Sequence, residues 1–417
     1  MLTWIKMAGR NLFRNGRRSI FTILAIGLGF AAVNLFGGFT QYILTSVEEG
    51  HIYTRGNGHL MISKRGFRTE GKLNPADYLL SELEVKTIRE SLRGFLEVRL
   101  VTPQLHISGL LSNGEVSTIF VAIGRVPSDV RKIQSHARGL MATVNLFSGK
   151  PLDNDSPNNI GLSSGLAKQL NLKIGSGAIA LAPTVNGQMN ALDVDVVQLF
   201  YPAVESANDM LMVAPIKLVQ LLYDTSSVDG LAVLLDDGEK VDAIRAALAA
   251  VFKDRKLDVE VATWRELNPL YTRTKEMFDV IFLFIFIIVL VIVVMSVVNT
   301  MSMAIVERTR EIGTLRALGA KRGGILSLFA LESTLLGGIG SVLGMGLTVG
   351  ARLMINVVIK PTWIPPVIGE RVPLEVYLVP EHIIYSSLFL ILLSLAAALL
   401  SARRAANQEI VDALGHV

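Results

Sequence analysis

Cysteine is absent from the 417-residue sequence, and charged residues are scarce at 18%. The missing thiols exclude disulfide bonds, a thiolate nucleophile and cysteine-ligated metal sites. The six histidines show no metal-ligand spacing, and no G-x-x-x-x-G-K-[ST] loop is present to bind nucleotide phosphates. These absences predict that the chain is not an enzyme and binds no cofactor or metal of its own.

Hydrophobic residues make up 51% of the chain and concentrate in four uninterrupted runs. A bilayer core about 30 Å thick requires about 20 apolar residues in a helix, and each run is long enough. The runs predict an α-helical membrane protein with four transmembrane helices. Residues 44–278 have the mixture of apolar and polar residues that is usual in globular proteins, and they predict a large α+β extracytoplasmic domain. The net charge of +4 is too small to indicate a nucleic-acid partner.

The distribution of Lys and Arg predicts the orientation, because these residues favour the cytoplasmic ends of membrane spans. The loop between the third and fourth spans has only Lys360 and Arg371. The cations at the other span ends are Lys6, Arg10, Arg14, Arg17, Arg18, Arg308, Arg310, Arg316, Lys321, Arg322, Arg403 and Arg404. We therefore predict a membrane protein with cytoplasmic termini and an extracytoplasmic domain.

The predicted organisation follows from the four runs. An amphipathic helix at 1–19 would lie in the membrane interface, and the alternative is a solvated basic flank. The remaining predicted segments are a first span (20–43), a periplasmic domain (44–278) with a β-rich insert (150–205), a second span (279–306), a cytoplasmic coupling helix (307–322), a third span (323–359), an outer loop (360–381), a fourth span (382–402) and a cytoplasmic tail (403–417).

The segment between the second and third spans has helical periodicity. Ile312, Leu315 and Leu318 recur at three-residue steps and predict an apolar ridge. This ridge would dock into a groove of a cytoplasmic partner, and the alternative is a turn that only connects two spans. The predicted coupling residues are Glu307, Arg308, Arg310, Glu311, Ile312, Gly313, Leu315, Arg316, Leu318 and Gly319.

The third span contains an ionisable residue and paired glycines. Glu332 has either a structural role, paired with Lys321 or Arg322, or a role in coupling or gating. Two pairs of glycines four residues apart, Gly340/Gly344 and Gly346/Gly350, predict close helix packing. No span has the polar stripe of a hydrophilic conduit, which favours movement transmitted across the membrane.

Residues 310–320, REIGTLRALGA, resemble the signature of the MacB/FtsX/LolC-LolE permeases of ABC transporters, also called type VII or mechanotransmission complexes. The opening RNLFRNGRRSIFTILAI and the stretch GLSSGLAKQLNLKIGSGAIAL resemble the same family. The C-terminal tail departs from the family pattern, because Ile410 occupies the position of a proline. The layout is most similar to the LolC/LolE branch.

The resemblance implies a bacterial inner-membrane location and a periplasmic domain in which a Sabre-like subdomain is inserted in a porter-like one. It also implies two permease protomers, identical or paralogous, that work with a separate cytoplasmic ATPase dimer, which binds the ATP and Mg²⁺. The cargo would be a lipoprotein, a lipid or another hydrophobic molecule. The alternatives are an FtsX-like regulator of cell-wall hydrolases and a MacB-like efflux permease with a periplasmic adaptor.

A β-hairpin is predicted at Asn186-Gly187, a strong turn signal between two strand patterns. The resemblance to lipoprotein transporters makes these two residues candidates for contact with a periplasmic chaperone. An ordinary hairpin tip is the alternative.

Overall fold

The computed structural model describes residues 7, 10, 16–71, 74–138, 147–202, 205–318, 321–363 and 371–406. Most of the predicted helix at 1–19, the predicted coupling residue Gly319 and the tail from 407 lie outside these residues. The chain forms two units. The membrane unit comprises Met1–Leu44, Thr274–Pro361 and Leu374–Val417, and the α/β unit comprises Thr45–Arg273 and Thr362–Pro373.

The described elements are numbered in chain order. The α-helices are α1 (Gly16–Glu49), α2 (Glu82–Leu92), α3 (Pro127–Gln134), α4 (Ser164–Gln169), α5 (Ile216–Tyr223), α6 (Val241–Asp254), α7 (Trp264–Leu267), α8 (Pro269–Glu307), α9 (Thr309–Ala317), α10 (Arg322–Leu353) and α11 (Pro380–Ala406). The strands are β1 (Leu60–Lys64), β2 (Val98–Ser112), β3 (Ser117–Arg125), β4 (Phe147–Gly149), β5 (Asn159–Ser163), β6 (Gly177–Pro183), β7 (Met189–Phe200), β8 (Leu211–Pro215), β9 (Gly230–Leu235), β10 (Val259–Thr263), β11 (Thr362–Trp363) and β12 (Val372–Pro373).

The membrane unit is built on α1, α8, α10 and α11. Within the described residues, these four helices are long and apolar enough to cross a membrane. Their shared core includes Phe30 of α1, Val293 of α8, Phe329 of α10 and Ala398 of α11. Large apolar residues such as Val342 lie exposed on the outer helix surfaces, as lipid contact requires. The predicted fold class of four membrane helices with a large α/β domain is confirmed.

The helices extend beyond the predicted apolar spans. A π-helical turn, Gly50–Thr54, continues α1. Helix α7 ends before Asn268 and α8 begins at Pro269, so the chain does not enter the second span as one continuous helix from Trp264. A proline disfavours the α conformation in the residue that precedes it, which explains why the helix is interrupted at Asn268.

The strands β1–β10 of the α/β unit form one sheet in the order β10-β1-β9-β2-β3-β8-β5-β7-β4, and β6 pairs with both β2 and β7. The additional pairing closes six strands, β2-β3-β8-β5-β7-β6, into a barrel. Leu111, Phe120, Ala180 and Val194 are buried inside it. Helix α5 packs against several of the barrel strands.

The barrel changes the interpretation of the predicted β-rich insert at 150–205. That segment supplies β5, β6 and β7, whereas β2, β3 and β8 come from outside it. The 15-residue β2 belongs both to the barrel and to the open part of the sheet. Its first half pairs with β9, and its last residues pair with β6. Hydrogen bonding therefore does not separate a porter-like part from an inserted part.

His59 links pH to the stability of the α/β unit. Its side chain is 1% exposed, and its Nδ1 accepts a hydrogen bond from the backbone N–H of Leu235 at 3.1 Å. Burial lowers the pKa of His59 from 6.5 to about 4, although Asp237 opposes the shift. The folded state therefore favours the neutral ring, and the unfolded state binds the proton more readily below pH 6.5.

Lowering the pH from 7.5 to 4 is therefore expected to cost about 3 kcal/mol of stability at this one residue. Because asparagine also offers an acceptor, His59→Asn should flatten this part of the pH profile. Denaturant unfolding of the full chain in detergent between pH 7.5 and pH 4 measures the pH profile of stability for the parent chain and for the variant. An unchanged profile in the variant would contradict the assignment.

Candidate functional site

A one-residue break separates α8 from α9. The N–H of Arg308 donates to the carbonyl of Ile305 at 3.1 Å, and its carbonyl accepts from the N–H of Ile312 at 2.9 Å. The hydroxyl of Thr309 donates to the carbonyls of Ile305 and Val306, both at 3.0 Å. Arg308 and Thr309 are buried. The start of α9 is therefore anchored directly to the end of a membrane helix.

The structure shortens the predicted coupling helix from 307–322 to Thr309–Ala317. Glu307 is the last residue of α8, and Arg322 is the first residue of α10. Lys321 has the extended conformation of a residue that precedes a helix. This conformation interrupts the helical path between α9 and α10.

The predicted apolar ridge of α9 does not lie on one face. Ile312 is buried in the core of the membrane unit, whereas Leu318, one residue beyond α9, is 82% exposed. Six residues of an α-helix turn through about 600°, so these two positions point about 120° apart. The exposed positions are Arg310, Glu311, Thr314, Ala317 and Leu318, and the side chains of Leu315 and Arg316 lie outside the described part of the chain.

A buried ion pair joins the break to the third membrane helix. Arg308 Nη1 lies 2.9 Å from Glu332 Oε1, and the two side chains are 8% and 5% exposed. We predicted Lys321 or Arg322 as the partner of Glu332, and the structure shows an ion pair between Glu332 and Arg308. Removing one member of such a pair leaves an uncompensated buried charge. The pair therefore fixes the junction of α8 and α9 against α10.

A second ion pair lies at the same level of the membrane unit. Arg18 Nη1 near the start of α1 lies 2.5 Å from Glu307 Oε1 at the end of α8. Both side chains are more than a third exposed, so solvent screens the attraction and the pair contributes little to stability. The pair instead helps to position the start of α1 beside the residue that precedes the break.

One of the two predicted glycine pairs makes close helix contacts. A Cβ added to Gly344 would lie 2.6 Å from the Cβ of Phe30 and 2.7 Å from the carbonyl oxygen of Gly27, both on α1. A Cβ on Gly340 would lie 2.6 Å from Cγ2 of Ile26. By contrast, a Cβ on Gly346 would meet no described atom within 4 Å. The expected packing role therefore holds for Gly340 and Gly344 within this chain.

Gly344→Ala is expected to cost about 1–3 kcal/mol, because the added methyl group meets backbone and the base of a side chain. Gly346→Ala is the matched control in the same helix and should leave stability unchanged or slightly raised. Thermal unfolding in detergent compares them. Equal melting temperatures for both variants would contradict the packing of α1 on α10.

The predicted hairpin joins β6 to β7. Gly187 has φ +84°, and its N–H donates to the carbonyl of Thr184 at 2.9 Å. The side chain of Asn190 donates to the carbonyl of Leu221 at the end of α5 at 3.0 Å. Asn186 and Gly187 are exposed. The hairpin is confirmed, and its role in contact with a chaperone stays a prediction.

Two family profiles together cover most of the chain. The profile described as "MacB-like periplasmic core domain" matches residues 19–251, which is more than half of the sequence. The chain belongs to the MacB/FtsX family. The profile "FtsX-like permease C-terminal" matches residues 283–410, which include α9, Arg308 and Glu332. Across these residues the chain matches the permease part of the family.

Relatives within this family differ in length. A macrolide export ATP-binding/permease protein MacB of Agrobacterium fabrum is 25% identical across 98% of this chain, which spans 60% of that protein. The MacB of Rhodospirillum rubrum is 28% identical over 31% of this chain and 20% of its own length. The chain thus matches less than two thirds of the length of each of these relatives.

A relative and a solved structure match about half of this MacB/FtsX chain. The uncharacterized ABC transporter permease YknZ of Bacillus subtilis is 23% identical over 49% of this chain and 49% of its own length. The crystal structure of the periplasmic region of MacB from Actinobacillus actinomycetemcomitans aligns with 52% of this chain and 94% of its own, at 15% identity and a TM-score of 0.37.

The site contains one arrangement that sequence reasoning missed. The structure pairs Glu332 with Arg308, although Arg308 had been assigned only to the coupling helix. The available signal was a cation at the end of one apolar run and an acid inside the next. Sequence separation alone does not decide which cation reaches that acid.

Proposed function

We propose that this MacB/FtsX-type permease transmits ATP-driven movement from a separate cytoplasmic ATPase to its α/β unit. The observation that carries the proposal is α9, a short helix anchored at the end of α8 with Ile312 inward and Thr314 and Ala317 exposed. An anchored helix with an exposed face suits docking into a groove of a partner. Helices α1 and α8 supply residues to both units and would serve as levers.

The orientation needed for this function agrees with the positions of the cations. By the positive-inside rule, the Lys and Arg residues near α9 and near the start of α1 favour a cytoplasmic location for these ends. The α/β unit then lies on the periplasmic side of a bacterial inner membrane. ATP and Mg²⁺ would bind to the partner ATPase dimer, and a second permease protomer, identical or paralogous, would complete the complex.

The proposed cargo is a lipoprotein, lipid or other hydrophobic molecule, handled on the periplasmic side with the help of a chaperone or adaptor. The sequence of the spans lacks the polar stripe of a hydrophilic conduit, which supports extraction over passage through the spans. A MacB-like efflux permease is an equally supported second candidate, because the relatives named as macrolide exporters match up to 98% of this chain. An FtsX-like regulator that moves no cargo is the third.

Purification of the tagged full-length chain from native membranes in mild detergent tests this proposal. We expect an ABC ATPase to co-purify, together with bound lipid or lipoprotein that mass spectrometry identifies. A periplasmic adaptor in place of lipoprotein would favour the efflux candidate, and a cell-wall hydrolase without cargo would favour the regulator. Failure to recover an ATPase in several mild detergents would contradict the proposal.

A further inference from the structure

The outside of the barrel carries an apolar surface on β2, β3, β6 and β7. Alternation along each strand directs one set of side chains into the barrel and the other set outward. Six apolar residues of the outward set form what we call the apolar barrel face: Leu110, Ile119, Ile179, Leu181, Met189 and Ala191.

The strand register places four of these residues in one row. Ile119 lies opposite Leu110, and Leu110 lies opposite Leu181. Leu181 in turn lies opposite Ala191 on β7. Neighbours directly across strands are within contact distance of each other. The row is therefore a continuous apolar strip that crosses four strands.

The apolar barrel face is open to solvent within the described part of the chain. Ile119 is 62% exposed, Met189 is 65% exposed, and Leu110 is 42% exposed. Outward positions of an antiparallel sheet that faces water normally hold polar side chains. A contiguous exposed apolar surface of this kind marks an interaction site.

Charge at the margin of the face narrows the choice of partner. Asp193 lies opposite Ile179, Asp195 lies two residues further along β7, and Glu115 lies in the turn between β2 and β3; all three are exposed. The outward positions of residues 108–112, 117–121, 177–183 and 189–195 include no Lys or Arg. Lys173, in the turn before β6, is also exposed, so the margin holds three acids and one base and is net acidic.

An acidic margin disfavours two of the alternative occupants. An anionic lipid surface attracts cations and repels this margin. A two-fold contact between two copies would turn the same acidic surface toward itself, and like charges across an interface oppose association. The complementary surface has an apolar centre and basic residues around it.

We propose that the apolar barrel face binds an extracytoplasmic protein whose contact surface is apolar at its centre and basic at its margin. The face extends to the β6–β7 hairpin, because Met189 follows the turn that contains Asn186 and Gly187. This proposal rests on the periplasmic placement of the α/β unit in the proposed function, and it is independent of ATPase coupling.

Site-specific photocrosslinking in living cells tests the proposal on the full-length chain. A photoreactive amino acid is placed at Ile119 or Ile179 on the face, and at the exposed Glu90 on α2 as the control. We expect both face positions, and not Glu90, to crosslink to one periplasmic protein. Peptide mapping should place the crosslink in an apolar segment flanked by Lys or Arg.

Binding of that purified protein to the chain in nanodiscs then tests the chemistry. Leu110→Ser and Asp193→Lys should each weaken binding about tenfold or more, with unchanged melting temperatures because both side chains are exposed. Added salt should reduce the effect of Asp193→Lys. These results would stand even if no ATPase bound the chain, so they are separable from the proposed function.

Several outcomes would overturn the proposal. Crosslinks from the face to lipid or to a second copy would assign the surface to a different occupant. Equal crosslinking at Glu90, a mapped segment without basic residues, or no crosslink at either face position in functional cells would each reject it. Unchanged affinity of both variants would do the same.

Discussion

Leu318→Asp is expected to weaken association with the partner ATPase about thirtyfold or more while the fold remains intact. Leu318 is 82% exposed beside the end of α9, so the substitution removes no internal contact of consequence. An aspartate at this position would have to enter an apolar groove as an unpaired charge. Losses of this size are typical when a central apolar contact of an interface is removed.

The matched control is Leu96→Asp, the same substitution at a leucine of the α/β unit that is 93% exposed. Both variants should melt at the same temperature as the parent chain, and only Leu318→Asp should lose ATPase binding. Ala317→Asp provides a second test on the exposed surface of α9. Titration of the purified ATPase against each variant in nanodiscs measures the affinity, and normal binding by both α9 variants would refute docking through this surface.

Glu332→Leu is expected to destabilise the chain by about 3–5 kcal/mol, because Arg308 would keep a buried charge without its acidic partner. The Arg308 and Glu332 side chains are only 8% and 5% exposed, so water cannot readily take the place of the missing group. The double variant Arg308→Met/Glu332→Leu removes both charges and should recover most of the loss. Thermal unfolding in detergent compares the three proteins.

The double variant also separates the two roles that Glu332 was predicted to have. If the ion pair is only structural, the double variant, once its stability is restored, should stimulate the partner ATPase and move cargo normally. If the pair transmits movement, stability should return while coupling remains lost. A single variant as stable as the parent chain would contradict the buried pair itself.

The membrane architecture is largely predictable from the sequence because it depends on local composition. Each of the four helices contains a long apolar run, and no distant contact is needed to recognise it. The positions of helix ends were less predictable, as the continuation of α1 to Thr54 and the break at Asn268 illustrate. These ends depend on capping and on neighbouring residues in three dimensions.

Long-range contacts account for the features that the sequence did not predict. The barrel closes through the pairing of β2 with β6, and the separation of these strands in the chain leaves no local signal. The glycine pattern was informative only in part, since Gly344 packs on α1 while Gly346 meets no described atom. A small-residue motif indicates that close approach is allowed, but it does not identify the packed face.

At the coupling site, too, the local features were predictable from the sequence and the long-range contacts were not. Periodicity predicted a short helix between two spans, and α9 is present with narrower bounds. Steps of three residues suggested one ridge, although the helical turn places Ile312 inward and Leu318 outward. The partner of Glu332 depended on how the α8–α9 junction approaches α10, which sequence spacing does not specify.

The most direct test of transmembrane coupling is an ATP-dependent signal from the α/β unit. Because the sequence contains no cysteine, a single cysteine at the exposed Glu90 can carry an environment-sensitive fluorophore without background labelling. In nanodiscs with the partner ATPase, ATP should change the fluorescence, and the change should vanish with Leu318→Asp but persist with Leu96→Asp. A bound ATPase that hydrolyses ATP with no change in the α/β unit, at this and other labelled positions, would contradict the proposed transmission of movement.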